Sequence, residues 1–255
     1  MFTKQKFSIL IVFIILLILF PTVCLALDSD GDGMSDEEEM KVYYTDPYNS
    51  DIDGDGYDDY REIKNGYSPH QPKLKMWQSD YDQDGLSDKQ EILLGTDLGN
   101  PDTDGDGYLD GKEIFSGHDP KNPKKGARVK NKIIEIGIKE QILRYKINEV
   151  ILGEHKVSTG SYKYPTPLDE FLIDGKIKKA YSKKWSLWMP YFLSIKKGWF
   201  GIHELPEWRD GRKEGEAHLG QRVSHGCIRL GIGPAKKIYQ WADLGTKVIV
   251  KKSLK

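Results

Sequence analysis

The chain has 255 residues, 38% hydrophobic and 30% charged, and its 38 Lys and Arg against 39 Asp and Glu give a net charge of -1. That length supports one or two domains with a real apolar core, which excludes a wholly disordered chain or a fibrous repeat. The near-neutral total hides a segregation: residues 28–123 hold 26 acidic and 8 basic side chains, and the rest of the chain is basic, so two modules with different tasks are expected.

Lys4 and Lys6 precede an apolar run over 7–20, and the small residue Ala26 stands just before the acidic region. This is the pattern of an export signal cleaved after Ala26. A retained membrane anchor is the alternative, since 7–27 is nearly long enough to cross a bilayer. Either assignment of residues 1–26 places the remainder outside the cytoplasm, as a secreted, periplasmic or cell-surface protein. Cleavage removes Cys24 and leaves Cys227 as the sole thiol, so no intramolecular disulfide can form.

Over 28–120 the template D-x-D-x-D-G-x5-E recurs four times. The copies supply Asp28, Asp30, Asp32, Asp36 and Glu39; Asp51, Asp53, Asp55, Asp59 and Glu62; Asp80, Asp82, Asp84, Asp88 and Glu91; and Asp102, Asp104, Asp106, Asp110 and Glu113. Side-chain oxygens at positions 1, 3 and 5, a backbone carbonyl at 7, a water or carboxylate at 9 and a bidentate glutamate at 12 surround a hard cation, and glycine at 6 permits the turn. Random acidic spacers do not hold glycine and glutamate in register four times. The first and third copies start 52 residues apart and the second and fourth 51, so the unit is a pair of loops used twice. Pro47 and Pro101 argue against a helix entering the loops. Apolar Met40, Ile63, Ile92 and Ile114 after each glutamate, with Gly66, Gly95 and Gly117 beyond three of them, predict short exit helices. Position 8 is Ser35, Asp58 and Ser87 in three loops, which weakens the usual strand pairing across them. The region resembles EF-hand calcium loops, and more closely the thrombospondin type 3 or dockerin-like variety; the resemblance implies calcium as a structural cofactor.

A stretch rich in proline, glycine and lysine supplies a linker at 121–126, and 127–252 forms the second domain. Ile134, Ile136 and Ile138, then Leu143, Tyr145 and Ile147, predict two strands turning at Asn148 and Glu149; a helix is expected over 234–242 and a last strand over 245–250. The aromatic set Trp185, Trp188, Tyr191, Phe192, Trp199 and Phe200 reads as core from its alternation. The chemistry centres on Ser224-His225-Gly226-Cys227-Ile228-Arg229-Leu230. Cysteine attacks as thiolate, neighbouring cations favour that form, and glycine beside it admits substrate to backbone amides able to hold an oxyanion.

This segment is similar to the active-site signature of YkuD-type L,D-transpeptidases, with support from 157–160, 164–167, 189–191, 201–203 and 245–248. The resemblance implies a mainly β fold, a YkuD-like β-sandwich preceded by the calcium-loop module of short helices. It also implies a peptidoglycan-remodelling enzyme in which Cys227 attacks a stem-peptide carbonyl, releases D-alanine and forms a thioester. His203 is then the base, oriented by the carbonyl of Glu204. Backbone amides around Gly226 and Cys227 form the oxyanion hole, and Ser224, His225 and Arg229 support the site or grip substrate carboxylates. No cofactor is implied for catalysis and no nucleic acid as partner. Three departures from the family pattern stand out: Glu204 and Asp169 where glycine is usual, and a charged insertion over 207–216 that brings in His218 as a rival base. An L,D-carboxypeptidase and an inactive calcium-dependent surface protein remain the competing readings.

Overall fold

The computed structural model describes residues 26–255, so the signal or anchor expected over 1–26 lies outside the described residues except for Ala26. No helix among the described residues is long and apolar enough to cross a membrane.

In the acidic half each loop runs into a short helix. These are α1 (Asp36–Glu38), continued by a wide turn over Glu39–Tyr43, then α2 (Asp59–Lys64), α3 (Asp88–Leu94) and α4 (Asp110–Ser116). No helix immediately precedes the second, third or fourth loop. Position 8 proves to be the N-cap of the exit helix: the side chains of Ser35, Asp58 and Ser87 accept the backbone N–H groups of Glu38, Arg61 and Gln90. Capping commits that residue to the helix, which explains why it is polar here. Gly66, Gly95 and Gly117 follow their helices in left-handed backbone, at φ 77°, 72° and 82°. The loops associate in pairs: Asp32 accepts the N–H of Tyr60 at 3.0 Å and Asp84 that of Gly111 at 2.7 Å. In both pairs position 5 of one loop meets position 10 of the next, so the two-loop repeat is visible in three dimensions.

The basic half holds ten strands: β1 (Lys132–Gly137), β2 (Ile142–Ile147), β3 (Val150–Gly160), β4 (Asp169–Ser182), β5 (Leu187–Ile195), β6 (Phe200–Glu204), β7 (Glu207–Trp208), β8 (Arg222–Ser224), β9 (Ile228–Leu230) and β10 (Lys247–Lys251), with α5 (Pro234–Trp241) before the last. Their order is β2-β1-β10-β4-β5-β6-β9-β3-β8, and β2 also pairs with β3, so the hydrogen-bonded path returns on itself. Alternation along the strands builds the core. Leu143 and Tyr145 on β2 stand opposite Ile136 and Ile134 on β1, which face Val250 and Val248 on β10. Each such side chain contributes about 1.5 to 3 kcal/mol on burial. Ala235, Ile238 and Trp241 line one face of α5 and enter the same core, with the Trp241 ring edge-on to Tyr145 at 5.2 Å.

The two halves share this core. Leu86, in the third loop, and Ile114, on α4, are buried in the cluster that contains Ile134 and Trp241. Between them Arg128 and Lys132 reach the carbonyls of Ser116, Gly117 and Trp241, where α4 and α5 end, and both pair with Asp243. Cations placed at two facing helix C-termini complement both dipoles. The residues expected to link the halves, 121–126, form a loop closed by the bridge between His118 and Arg128.

Candidate functional site

Parallel pairing of β6 and β9 sets His203 opposite Arg229, with Ile202 opposite Ile228. Gly201 stands one residue ahead of Ile202, as Cys227 does ahead of Ile228, and the Gly201 backbone lies close enough to favour the Cys227 thiolate. Since side chains alternate along a strand, His203 and Arg229 share one sheet face, away from the core residues Ile202 and Ile228, and Arg229 is near enough to bear on both His203 and Cys227. Gly201 is required there: a Cβ would lie 2.3 Å from the Leu193 carbonyl oxygen and 2.7 Å from the Phe192 ring.

His203 is 3% exposed, and its Nδ1 lies 2.5 Å from the Glu204 carbonyl oxygen. A carbonyl only accepts, so Nδ1 carries the proton and Nε2 is left bare as the basic nitrogen. Burial, aided by Arg229, pushes the imidazole down to about 4 despite that hydrogen bond. Burial likewise raises the Cys227 thiol above its ordinary value, against the lowering effects of the Gly201 hydrogen bond and Arg229. The resting pair is therefore thiol and neutral imidazole rather than an ion pair. Glu204 carries its side chain away from His203 and pairs with Lys213 at 2.8 Å. Its main chain performs the orienting contact regardless of side-chain type.

The turn that presents Cys227 is braced from within. Ser224, fully buried, donates to the Cys227 carbonyl at 2.5 Å and accepts the Gly226 N–H at 3.1 Å. Thr166 donates to the Gly226 carbonyl and accepts the Gly160 N–H, both at 2.8 Å. Ser224 thus spends its hydroxyl within the turn, and the Gly226 amide is already engaged. Thr166 was missed as a site residue because nothing in Pro165-Thr166-Pro167 signals a contact 60 residues away.

His225 is exposed and stacks on Trp185, ring centroids 3.7 Å apart, with Tyr164 at 5.3 Å. Trp185 is 36% and Trp199 85% exposed, so these two leave the aromatic set expected in the core, whereas Phe192 is buried beside His203. Trp185 lies in the turn between β4 and β5 and Trp199 in the turn between β5 and β6, so neither takes part in the strand alternation that marks burial. Asp169 opens β4 opposite Val250 rather than standing in a turn.

Arg229 is 7% exposed and its Nη1 meets both carboxylate oxygens of Glu214 at 2.8 and 2.9 Å. The rival base His218 sits on an exposed helical turn with its Nδ1 2.9 Å from Glu214.

In the acidic loops position 9 braces the loop: Asp36, Asp59, Asp88 and Asp110 accept the N–H groups of Ser29, Ile52, Tyr81 and Thr103. At position 1 Asp51 and Asp102 accept the amides of Gly54 and Gly56, and of Gly105 and Gly107, while Asp28 accepts Gly31 and Asp80 accepts Gly85. At positions 3 and 12 oxygens remain buried without a partner in every copy, on Asp30, Asp53, Asp82 and Asp104 and on Glu39, Glu62, Glu91 and Glu113. Burial first, then neighbouring carboxylates, pushes Glu62 up to about 8 and Glu91 to about 9. Asp55, Asp84 and Asp106 lie with their position 1 and 3 partners in clusters of converging oxygens, as do Asp28, Asp30 and Asp32. Orphaned, crowded, all-oxygen donors at fixed positions fit a hard divalent cation.

Residues 131–250 match the family model described as the L,D-transpeptidase catalytic domain, YkuD, and residues 28–50, 80–97 and 102–123 match that of the bacterial TSP3 repeat. YciB of Bacillus subtilis strain 168, provisionally named an L,D-transpeptidase, is 29% identical over 124 residues, which are 46% of this chain. The chain spans 64% of the length of that curated relative. An L,D-transpeptidase from Mycobacterium smegmatis is 19% identical with a TM-score of 0.42, over 48% of this chain and 58% of that one. The L,D-transpeptidase (Yku) from Stackebrandtia nassauensis is 27% identical with a TM-score of 0.40, over 48% and 56%. Residues 131–250 are thus an L,D-transpeptidase catalytic domain of the YkuD type, and the acidic half carries bacterial TSP3 repeats.

Proposed function

We propose that this chain is an exported L,D-transpeptidase that joins peptidoglycan stem peptides through a thioester on Cys227, with calcium holding the repeats ahead of it as a spacer. The observation that carries the reading is Cys227 immediately ahead of β9 and His203 on its parallel neighbour β6, with Nδ1 held by the Glu204 carbonyl. His203 Nε2 takes the thiol proton as the sulfur attacks the carbonyl carbon at the L,D bond. The leaving D-alanine amine collects that proton, and the thioester is then attacked by the amine of a second stem peptide. Because burial favours the uncharged partners, the proton moves when substrate arrives and the thiol is held in reserve until then. In the amino-terminal half Asp30, Asp53, Asp82 and Asp104 with Glu39, Glu62, Glu91 and Glu113 would hold calcium, which supplies charge compensation and joins each loop to its exit helix. Peptidoglycan as substrate fits an extracytoplasmic address, and the basic half suits an anionic wall.

Incubation with purified muropeptides, read by intact-protein and product mass spectrometry, tests this. The chain should gain the mass of an acyl donor less D-alanine and then release cross-linked dimers, and Cys227→Ala should do neither while melting like the parent. Cross-linking by Cys227→Ala would overturn the assignment; release of D-alanine with no dimers would make water the acceptor.

A further inference from the structure

The charged insertion is folded and tied down rather than loose. β7 pairs with β5, Glu207 bridges Lys213, Glu214 N–H donates to the Pro206 carbonyl at 2.9 Å, and Gly220 N–H to the Val157 carbonyl at 2.8 Å. So anchored, it brings a carboxylate, Glu214, against Arg229, while the site's own buried carboxylate, Glu204 on β6, is taken up by Lys213 of the insertion. The groups around Cys227 are His203 from β6, Arg229 from β9, His225 from its own turn with Lys184 beside it, and Glu214 with His218 from the insertion. Among the described residues Glu214 is the only carboxylate paired with Arg229.

We propose that Glu214 is a positioning residue: it holds Arg229 beside Cys227 and His203 and offsets part of its charge, which makes the insertion a fixed wall of the site. Resting on the catalytic reading above, this gives Arg229 a second task. Glu214 takes only Nη1 of the guanidinium and leaves Nε buried without a partner, so Arg229 bears on the nucleophile pair through its field whatever its other edge binds. Leaving that cation uncompensated would favour thiolate and disfavour imidazolium. Glu214 prevents this and keeps the pair neutral until substrate excludes water.

The test is the rate of iodoacetamide alkylation of Cys227 against pH, followed by intact mass on the calcium-loaded chain lacking its first 26 residues. Glu214→Gln should move the midpoint about one unit to lower pH. A loosened insertion that merely admitted water would also lower it, so the decisive variant is the pair Glu214→Gln with Arg229→Gln. If charge is the cause, this pair returns the midpoint to within a few tenths of a unit of the parent. If it stays low, Glu214 is only structural and the proposal falls. An unmoved midpoint in a folded Glu214→Gln protein overturns it as well. Should that variant not fold, Arg229→Gln alone decides: its midpoint should rise, because Glu214 then acts uncompensated, and an unmoved or lowered midpoint overturns the proposal. His218→Asn, removing an exposed partner of Glu214, should leave the midpoint unchanged. Alkylation needs no wall substrate, so absent acylation by muropeptides would defeat the functional reading while leaving these midpoints to be judged separately.

Discussion

In the third acidic loop Glu91 is fully buried with both carboxylate oxygens unpartnered, whereas in the Cys227 turn Ser224 and Thr166, almost as buried, each give and receive a hydrogen bond. A buried carboxylate without a partner is tolerated only if something outside the chain completes it. A turn whose hydroxyls are engaged on both sides is complete in itself. On the proposed function, one half is organised to be finished by an ion and the other to be finished by a reaction.

The largest effect that sharpens this contrast is on rate. Replacing His203 with Gln should lower acylation of Cys227 by about a hundredfold to ten-thousandfold, since only the thiolate attacks well. The calcium content of the protein, read by elemental analysis, should not change. Equal loss from His218→Gln would move the base to the insertion.

Next comes opposite pH dependence in the chelated protein. His203 is held near 4 against 6.5 in the unfolded chain, so the folded site binds fewer protons between those values. Its contribution, about 3 kcal/mol, is present above pH 6.5 and lost as pH falls toward 4. The position 12 glutamates are raised instead, Glu39 and Glu113 to about 7 and Glu62 to about 8. Without calcium the folded loops therefore bind more protons than the unfolded chain, and their stability declines as pH rises from 4.5 toward 8. Because the halves share a core, the readout is local: hydrogen exchange from pH 4 to 8 in chelator, corrected for intrinsic rates, should show loop protection that weakens with rising pH and protection of β6 and β9 that strengthens. Parallel slopes would remove the distinction.

Smaller, and aimed at the self-sufficient turn, is Thr166→Val. It strands the Gly160 N–H and the Gly226 carbonyl and should cost about 2 to 4 kcal/mol by denaturant titration, with acylation slowed as the turn loosens. A change under about 0.5 kcal/mol would mean the turn is braced elsewhere.

Much of this organisation is legible in the sequence. Fixed spacing exposes the loops, and alternating isoleucines expose β1 with its partners. The contiguous signature exposes Cys227, because a turn of four residues is local. What stays hidden is non-local. Leu86 is a lone apolar residue in an acidic loop and Ile114 one of two beside its glutamate, and nothing in their periodicity tells that they enter the catalytic core. Glu214 looks like one more charge in a charged stretch until the fold sets it against Arg229. Ser35 and Ser87 were readable, since Ser35 with Glu38 and Ser87 with Gln90 are capping boxes by pattern.

β10 lies between β1 and β4, pairing parallel with one and antiparallel with the other. Ile134 thus finds its neighbour Val248 more than a hundred residues further along the chain. Pairings that distant are slow to form, because the loop entropy is spent before any contact returns it. As the chain emerges in order, the β2–β3 and β4–β5 hairpins can form early, but β1 and β4 keep facing unpaired edges until residues 247–251 arrive to lie between them. The last strand is therefore the keystone of assembly: a chain cut before it would retain the Cys227 turn in its sequence yet hold two open sheet edges, the state most prone to pair with another molecule.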